Sequence, residues 1–188
     1  MAVKEVKLST IEEALTTPTT AEFNDALKRN RSAFLFRGLP NVSYKLTTSL
    51  RWNCKGKAGE LEPSILRNFS KYAASTSPLN SCWEQMVIGQ HHGLPTRLMD
   101  WTYSPLAALH FATSGEDITG MNQHDAVVWA IDITEMNTLL PAKYQKVLND
   151  ERAYLFTIDM LDRVAKDLTT YDNDMGEDGI VLLEPPSI

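Results

Sequence analysis

The sequence predicts an α+β fold in one domain, residues 1–188, built as a mixed central sheet with flanking helices. Two apolar runs bounded by turn residues, 32–37 and 126–133, read as buried strands, while 60–74 and 151–168 repeat their apolar residues at helical spacing. These elements follow one another without a regular βαβ rhythm, which favours α+β over a doubly wound sheet. At 188 residues the chain has the length of one ordinary domain.

In chain order, Ser9 or Thr10 followed by Glu12 and Glu13 opens a helix, its hydroxyl capping free amides and its carboxylates at the positive end. A helix over residues 21–30 is expected next. The strand 32–37 is closed by Gly38 and Pro40, and 44–52 forms a second extended segment before a polar turn at 55–59. The helix 60–74 carries Leu61, Ile65, Leu66 and Phe69 on one face, with Pro63 acceptable in its first turn. A helix over 81–91 presents Trp83, Val87 and Ile88. A strand at 96–101, a helix at 105–113 opened by Ser104 and Pro105, and the strand 126–133 follow. The last long helix, 151–168, has Leu155, Ile158, Leu161, Val164, Ala165 and Leu168 as core positions, and a strand at 180–183 closes the chain.

Composition excludes several classes. The 43% apolar content is enough for a core, and no apolar run approaches the roughly 20 residues of a spanning helix, so no membrane is expected. The N-terminus lacks a signal peptide's apolar stretch, and Cys54 and Cys82 have no CxxC spacing, so a cytoplasmic chain without structural zinc is expected. The net charge of −6 argues against a broad nucleic-acid footprint and leaves room for a local basic pocket.

The densest chemistry runs from His91 to Pro105, where two imidazoles, Gly93, two prolines, Arg97, Asp100 and Trp101 stand together, as in the wall of a site. His91 and His92 point about 100° apart on a helix, which suits a helix C-terminus stopped by Gly93 better than a shared metal. Arg97 and Asp100 lie three apart on a strand and face opposite sides, so each needs a partner elsewhere, and Asp100 is a candidate partner for Arg37 or a backbone turn. Arg37 either pairs with a carboxylate or offers its planar fork to phosphate, with Gly38 allowing close approach of a ligand. Trp101 and Tyr103 can stack on a flat heteroaromatic ring beside the hydroxyls of Thr102 and Ser104; a core Trp and a helix-capping Ser are the alternative. Asp172, Asp174, Glu177 and Asp178 read as a solvated acidic loop. Glu184, ending an apolar strand before two prolines, is either an electrostatic stabiliser or a solvent-facing strand end. Walker, GxGxxG, GxSxG and HExxH motifs are absent from the sequence.

Phe36-Arg37-Gly38, the block from His91 to Thr102 with Ser104-Pro105, Ala108 to Ala112, Ala126 to Ala130, and Glu184-Pro185-Pro186 together resemble the bacterial and phage FRG-domain family over residues 20–186. Leu39 stands where the family commonly has Gln, and the family usually continues after the two prolines, so the resemblance implies a domain truncated at its C-terminus. The order of elements is in turn similar to that of ADP-ribosyltransferases: a strand ending in Arg-Gly, a strand carrying Thr, Tyr or Ser, an Ala-rich helix, a further strand and a late Glu. This implies an NAD-dependent ADP-ribosyltransferase, a toxin or phage-defence effector that modifies a nucleic acid or a protein. NAD would be the substrate, no metal would be needed, and an antitoxin or regulatory protein would be the partner. In that scheme Arg37 and Glu184 are the catalytic pair, and Gly38, Trp101, Thr102, Tyr103 and Ser104 hold NAD. The alternative is a non-catalytic module of such a system that binds a nucleotide, a nucleic acid or a partner.

Overall fold

The computed structural model describes residues 3–10, 12–13, 22–24, 29–31, 33–73, 81–114, 123–176 and 179–184. The fold is α+β, and the chain forms two compact units, one from residues 1–45 and 101–132, the other from 46–100 and 133–188.

In the first unit, Glu13 Oε2 accepts the backbone N–H groups of Ser9 and Thr10 while Thr10 Oγ1 accepts that of Glu13, the reciprocal cap expected from the sequence. The expected helix at 21–30 is not formed. Glu22–Asn24 (β1) and Arg29–Arg31 (β2) pair antiparallel instead, while 25–28 lie outside the described residues. Phe34–Leu39 (β3) pairs antiparallel with Val127–Asp132 (β4), in register from Phe34 opposite Asp132 to Leu39 opposite Val127. β3 therefore runs through Gly38 rather than stopping there. On its other edge a single antiparallel bridge joins Phe36 to Thr102, each N–H bonded to the other's carbonyl at 2.7 and 2.9 Å. That bridge, at Thr102, stands in place of the strand expected at 96–101.

Pro105–Thr113, labelled α4, lies against β3. Its start is as expected: Ser104 Oγ accepts the Ala107 N–H at 3.2 Å, and Pro105 occupies the first turn, where its missing N–H is harmless. The helix packs so closely that a Cβ built on Gly38 would lie 1.8 Å from the Ala108 carbonyl oxygen. The small side chains of Ala108 and Ala112 are buried at that contact. β4 alternates in exposure along its length rather than being buried throughout.

The second unit is helical. It contains Ser49–Cys54 (α1), a 3₁₀ turn at Lys55–Lys57, Ala58–Ala73 (α2) and Cys82–His91 (α3). After these come Ile133–Thr138 (α5), Ala142–Glu151 (α6), Ile158–Val164 (α7) and Leu168–Met175 (α8). Residues 44–52, expected to be extended, instead start α1, because Thr48 Oγ1 accepts the Arg51 N–H and caps it. α2 begins at Ala58, so Pro63 lies inside the helix rather than in its first turn.

The single helix expected over 151–168 is broken. Arg152 ends α6 in the left-handed conformation (φ 52°), Thr157 caps α7 and Asp167 caps α8 through the Thr170 N–H at 2.7 Å. Two capping side chains and one left-handed residue within sixteen residues outweigh an apolar period that continues across them. The closing strand reduces to one parallel bridge between Phe156 and Leu183. The core gathers Leu66, Trp83, Met86, Tyr144, Phe156 and Leu161, the aromatics among them each contributing roughly 1.5–3 kcal/mol on burial. Among the described residues no helix is long and apolar enough to cross a membrane.

Candidate functional site

The block from His91 to Pro105 falls in two parts. Residues 91–100 belong to the helical unit and 101–105 to the sheet unit. His91 ends α3 and His92 caps it, with Gly93 (φ 82°) turning the chain and the Leu94 N–H returning to the Gly89 carbonyl at 2.8 Å. The two imidazoles are exposed at a helix terminus, and the glycine supplies the left-handed residue that ends it.

Thr96 is buried and fully engaged. Its Oγ1 donates to Gln90 Oε1 at 3.0 Å, its N–H donates to Ser49 Oγ at 3.1 Å, and its carbonyl accepts the Leu50 N–H at 3.1 Å. Gln90 Nε2 in turn donates to Asp100 Oδ1 at 2.8 Å. Arg97 donates through Nε to both oxygens of Glu62, at 2.9 and 3.0 Å, and through Nη2 to Glu62 Oε2. Its Nη1 reaches Asp172 Oδ1 at 2.5 Å, and its guanidinium lies 5.8 Å from the Tyr171 ring centre.

Burial alone would lower the Arg97 pKa. The hydrogen bonds it donates to Glu62 and then to Asp172 outweigh it and hold the guanidinium charged above its ordinary value. Glu62 is 2% exposed, so the pair is a buried ionic clamp tying α2 and α8 to this loop. As the sequence required, Arg97 and Asp100 face different partners. Asp172 and Asp174, however, are not in a solvated loop: both lie on α8, and Asp174 binds Lys143 at 2.5 Å and accepts the Tyr144 hydroxyl at 2.9 Å. Lys143 holds the Asp174 carboxyl below its usual range, and burial together with Asp174 pushes the Tyr144 phenol up. Glu177 and Asp178 lie outside the described residues.

In the sheet unit the register decides which groups share a face. Side chains alternate along a strand, and Gly38 meets α4, so Phe36 and Gly38 face that helix and Arg37 faces away from it. Arg37 is directly paired with Trp129 on β4. On the other edge, the antiparallel Phe36–Thr102 bridge brings Arg37 into register with Trp101. By register and strand alternation, Arg37 therefore stands opposite Trp129 on β4, level with Trp101 beside the bridge, and shares its sheet face with Leu35, Leu39, Val127 and Ile131. Arg37 and Trp129 are both partly buried, and among the described residues the buried Trp129 Nε1 has no hydrogen-bond partner.

The remaining sequence candidates have local tasks. Gly38 is required by the helix backbone packed on it, which accounts for the glycine without a ligand. Thr102 Oγ1 accepts the Ser104 N–H at 3.1 Å, and Ser104 caps α4, the structural alternative the sequence left open. Both hydroxyls keep their O–H for donation. Tyr103 follows the bridge and is 54% exposed. Glu184, in the other unit, is exposed and held by its backbone N–H to the Phe156 carbonyl at 2.7 Å; Pro185 and Pro186 lie outside the described residues. Among the described residues no group of three or more His, Cys, Asp or Glu is placed to hold a metal.

Sequence reasoning missed Trp129, which it took for a core residue of a buried strand. The signal available was its type: an indole among β-branched residues carries a polar edge that a strand core must satisfy. It also missed Glu62, since nothing in spacing links it to Arg97.

No curated protein and no solved structure matches the chain. Residues 32–119, which carry β3, Arg37 and the whole block from His91 to α4, match the family model of the FRG domain, and that is the family to which this part of the chain is similar.

Proposed function

We propose that the Arg37 face of the sheet unit binds NAD and that the protein is an ADP-ribosyltransferase of a toxin or phage-defence system. The observation that carries this reading is the register placing Arg37 between Trp101 and Trp129. A guanidinium suits the pyrophosphate, and flanking indoles suit the flat nicotinamide or adenine ring. In the reaction the bond between nicotinamide and ribose breaks, its electron pair leaving with nicotinamide while positive charge builds on the ribose. A nucleophile on the acceptor, protein or nucleic acid, forms the new bond at that carbon and releases its proton.

This chemistry calls for a carboxylate beside the developing cation. Glu184 is the residue that the resemblance assigns to it, and no other residue of the chain carries that assignment. An antitoxin or regulatory protein is the partner such an activity requires in its own cell.

One observation favours a second reading. The described positions of the Arg37 face are Leu35, Leu39, Val127, Trp129, Ile131 and Trp101, with no carboxylate among them. A nucleotide-gripping face with no acid among its described residues is suited to binding without turnover, and this fits a non-catalytic module.

Calorimetry with NAD tests the shared part. Arg37→Ala is expected to abolish binding, and wild-type affinity in that variant would overturn both readings. Label transfer from NAD to a mixture of RNA, DNA and protein acceptors, lost in Glu184→Gln, selects the transferase. Binding without transfer or NAD hydrolysis selects the module.

A further inference from the structure

Among the described residues the indole N–H of Trp129, on β4, is buried and has no hydrogen-bond partner. A buried donor without a partner is unfavourable and uncommon in folded chains, and one at a functional face is a candidate for satisfaction by a ligand. Trp129 is the direct cross-strand partner of Arg37. Directly opposed residues on one face have their Cβ atoms about 5 Å apart, so a single anionic group held by the guanidinium lies within reach of the neighbouring ring. A phenylalanine in this place would fill the same strand position and leave no donor to satisfy.

We propose that Trp129 is a ligand-contacting residue that donates its Nε1–H to an oxygen of the bound nucleotide, forming with Arg37 a two-donor clamp on the pyrophosphate. The inference rests on the nucleotide-binding reading of the Arg37 face and adds to it a specificity element. The clamp reads an anion with acceptor oxygens, while Trp101, on the other edge, is left to the ring. Arg37 supplies charge, and Trp129 supplies direction through one fixed N–H. Ligands with a flat ring and no phosphate lose both donors, so nicotinamide riboside is discriminated against relative to NAD.

Removal of the donor with the ring retained separates this role from packing. Calorimetry with NAD on the full chain is expected to give about tenfold to a hundredfold weaker binding for Trp129→Phe, the range for a hydrogen bond to a charged acceptor. The melting temperature of the ligand-free variant is expected to equal or exceed that of the wild type, because an unsatisfied donor has been removed. A merely structural tryptophan would show the reverse pattern, with lowered stability and unchanged affinity. A second readout uses the wild type alone: the Trp129 indole resonance, assigned through its own strand and followed by nitrogen-15 NMR, is expected to move downfield as NAD is added.

Wild-type affinity in Trp129→Phe, or an indole resonance that NAD leaves in place, overturns the inference while the Arg37 reading stands. If the wild type binds no NAD at millimolar concentration, the nucleotide reading fails and this inference fails with it. If Trp129→Phe does not fold, the wild-type resonance decides alone.

Discussion

Gly38 offers the sharpest test of how the sheet unit is built. A Cβ at this position would stand 1.8 Å from the Ala108 carbonyl oxygen, 2.7 Å from the Ala112 nitrogen and 2.9 Å from the Ala108 carbonyl carbon. All three are helix backbone atoms, so no side-chain rotation relieves the clash. Since non-bonded heavy atoms settle at about 3.5 Å, α4 must retreat from β3 by roughly 1.5 Å. A gap of that size forfeits more than half of the dispersion along the contact, including that of the buried Ala108 and Ala112. Losses of this kind fall in the range of large core truncations, about 3–5 kcal/mol. For a chain of this length that corresponds to a fall in melting temperature of roughly 6–20 °C. The assay is chemical denaturation of Gly38→Ala followed by circular dichroism, with the melting temperature as a second reading. The competing idea, that glycine is there to admit a ligand to the backbone, gives the opposite result: stability kept and affinity lost. A variant within 1 kcal/mol of the wild type would refute the packing account.

Arg97→Ala leaves Glu62 buried without its guanidinium, and removal of one partner from such a pair typically destabilises by about 3–5 kcal/mol, so urea denaturation should show a loss of that order; a loss below 1 kcal/mol would mean that the clamp is not buried in solution. Cys82 is expected to be a slow nucleophile, because burial, and then Asp162 and Asp167, raise its thiol to about 11. Only the thiolate reacts, so mass-spectrometric iodoacetamide labelling at pH 8 should run on the order of a hundredfold slower than for a free cysteine and rise about tenfold per pH unit towards pH 11. A rate that levels off above pH 9 would contradict the shift.

Local signals were legible where one residue determines one outcome. The Ser104 cap with Pro105 located α4, the Thr10–Glu13 pair located a helix start, and Gly93 located the end of α3. The strands around Arg37 were legible from their apolar runs. What failed was inference from period alone. Residues 151–168 keep an apolar repeat across two helices, because both bury their apolar faces on the same core, and the repeat does not record the caps at Thr157 and Asp167. Residues 21–30 have helix-forming composition, yet 22–24 and 29–31 pair as strands, an outcome set by cross-strand partners rather than by propensity. Pairings distant in sequence were the least legible. Glu62 is separated from Arg97 by 35 residues and Asp172 by 75, and only folding brings them together.

The density of polar chemistry between His91 and Pro105 led the sequence reading to a site wall, and the structure gives most of that density another cause. A loop that leaves a helix end and enters the interior carries backbone and side-chain groups that must be satisfied away from water. Ser49, Thr96, Gln90 and Asp100 satisfy one another in a chain, and Arg97 is satisfied by two carboxylates. A polar group with a partner inside the chain needs no ligand to explain it. At Trp129 the same criterion selects differently, because among the described residues its buried N–H has no hydrogen-bond partner. Satisfaction, rather than the count of reactive residue types, therefore separates a polar scaffold from a binding face. By that criterion the proposed binding reading draws its support from Trp129 on β4, a residue that the sequence reading passed over as part of a buried strand.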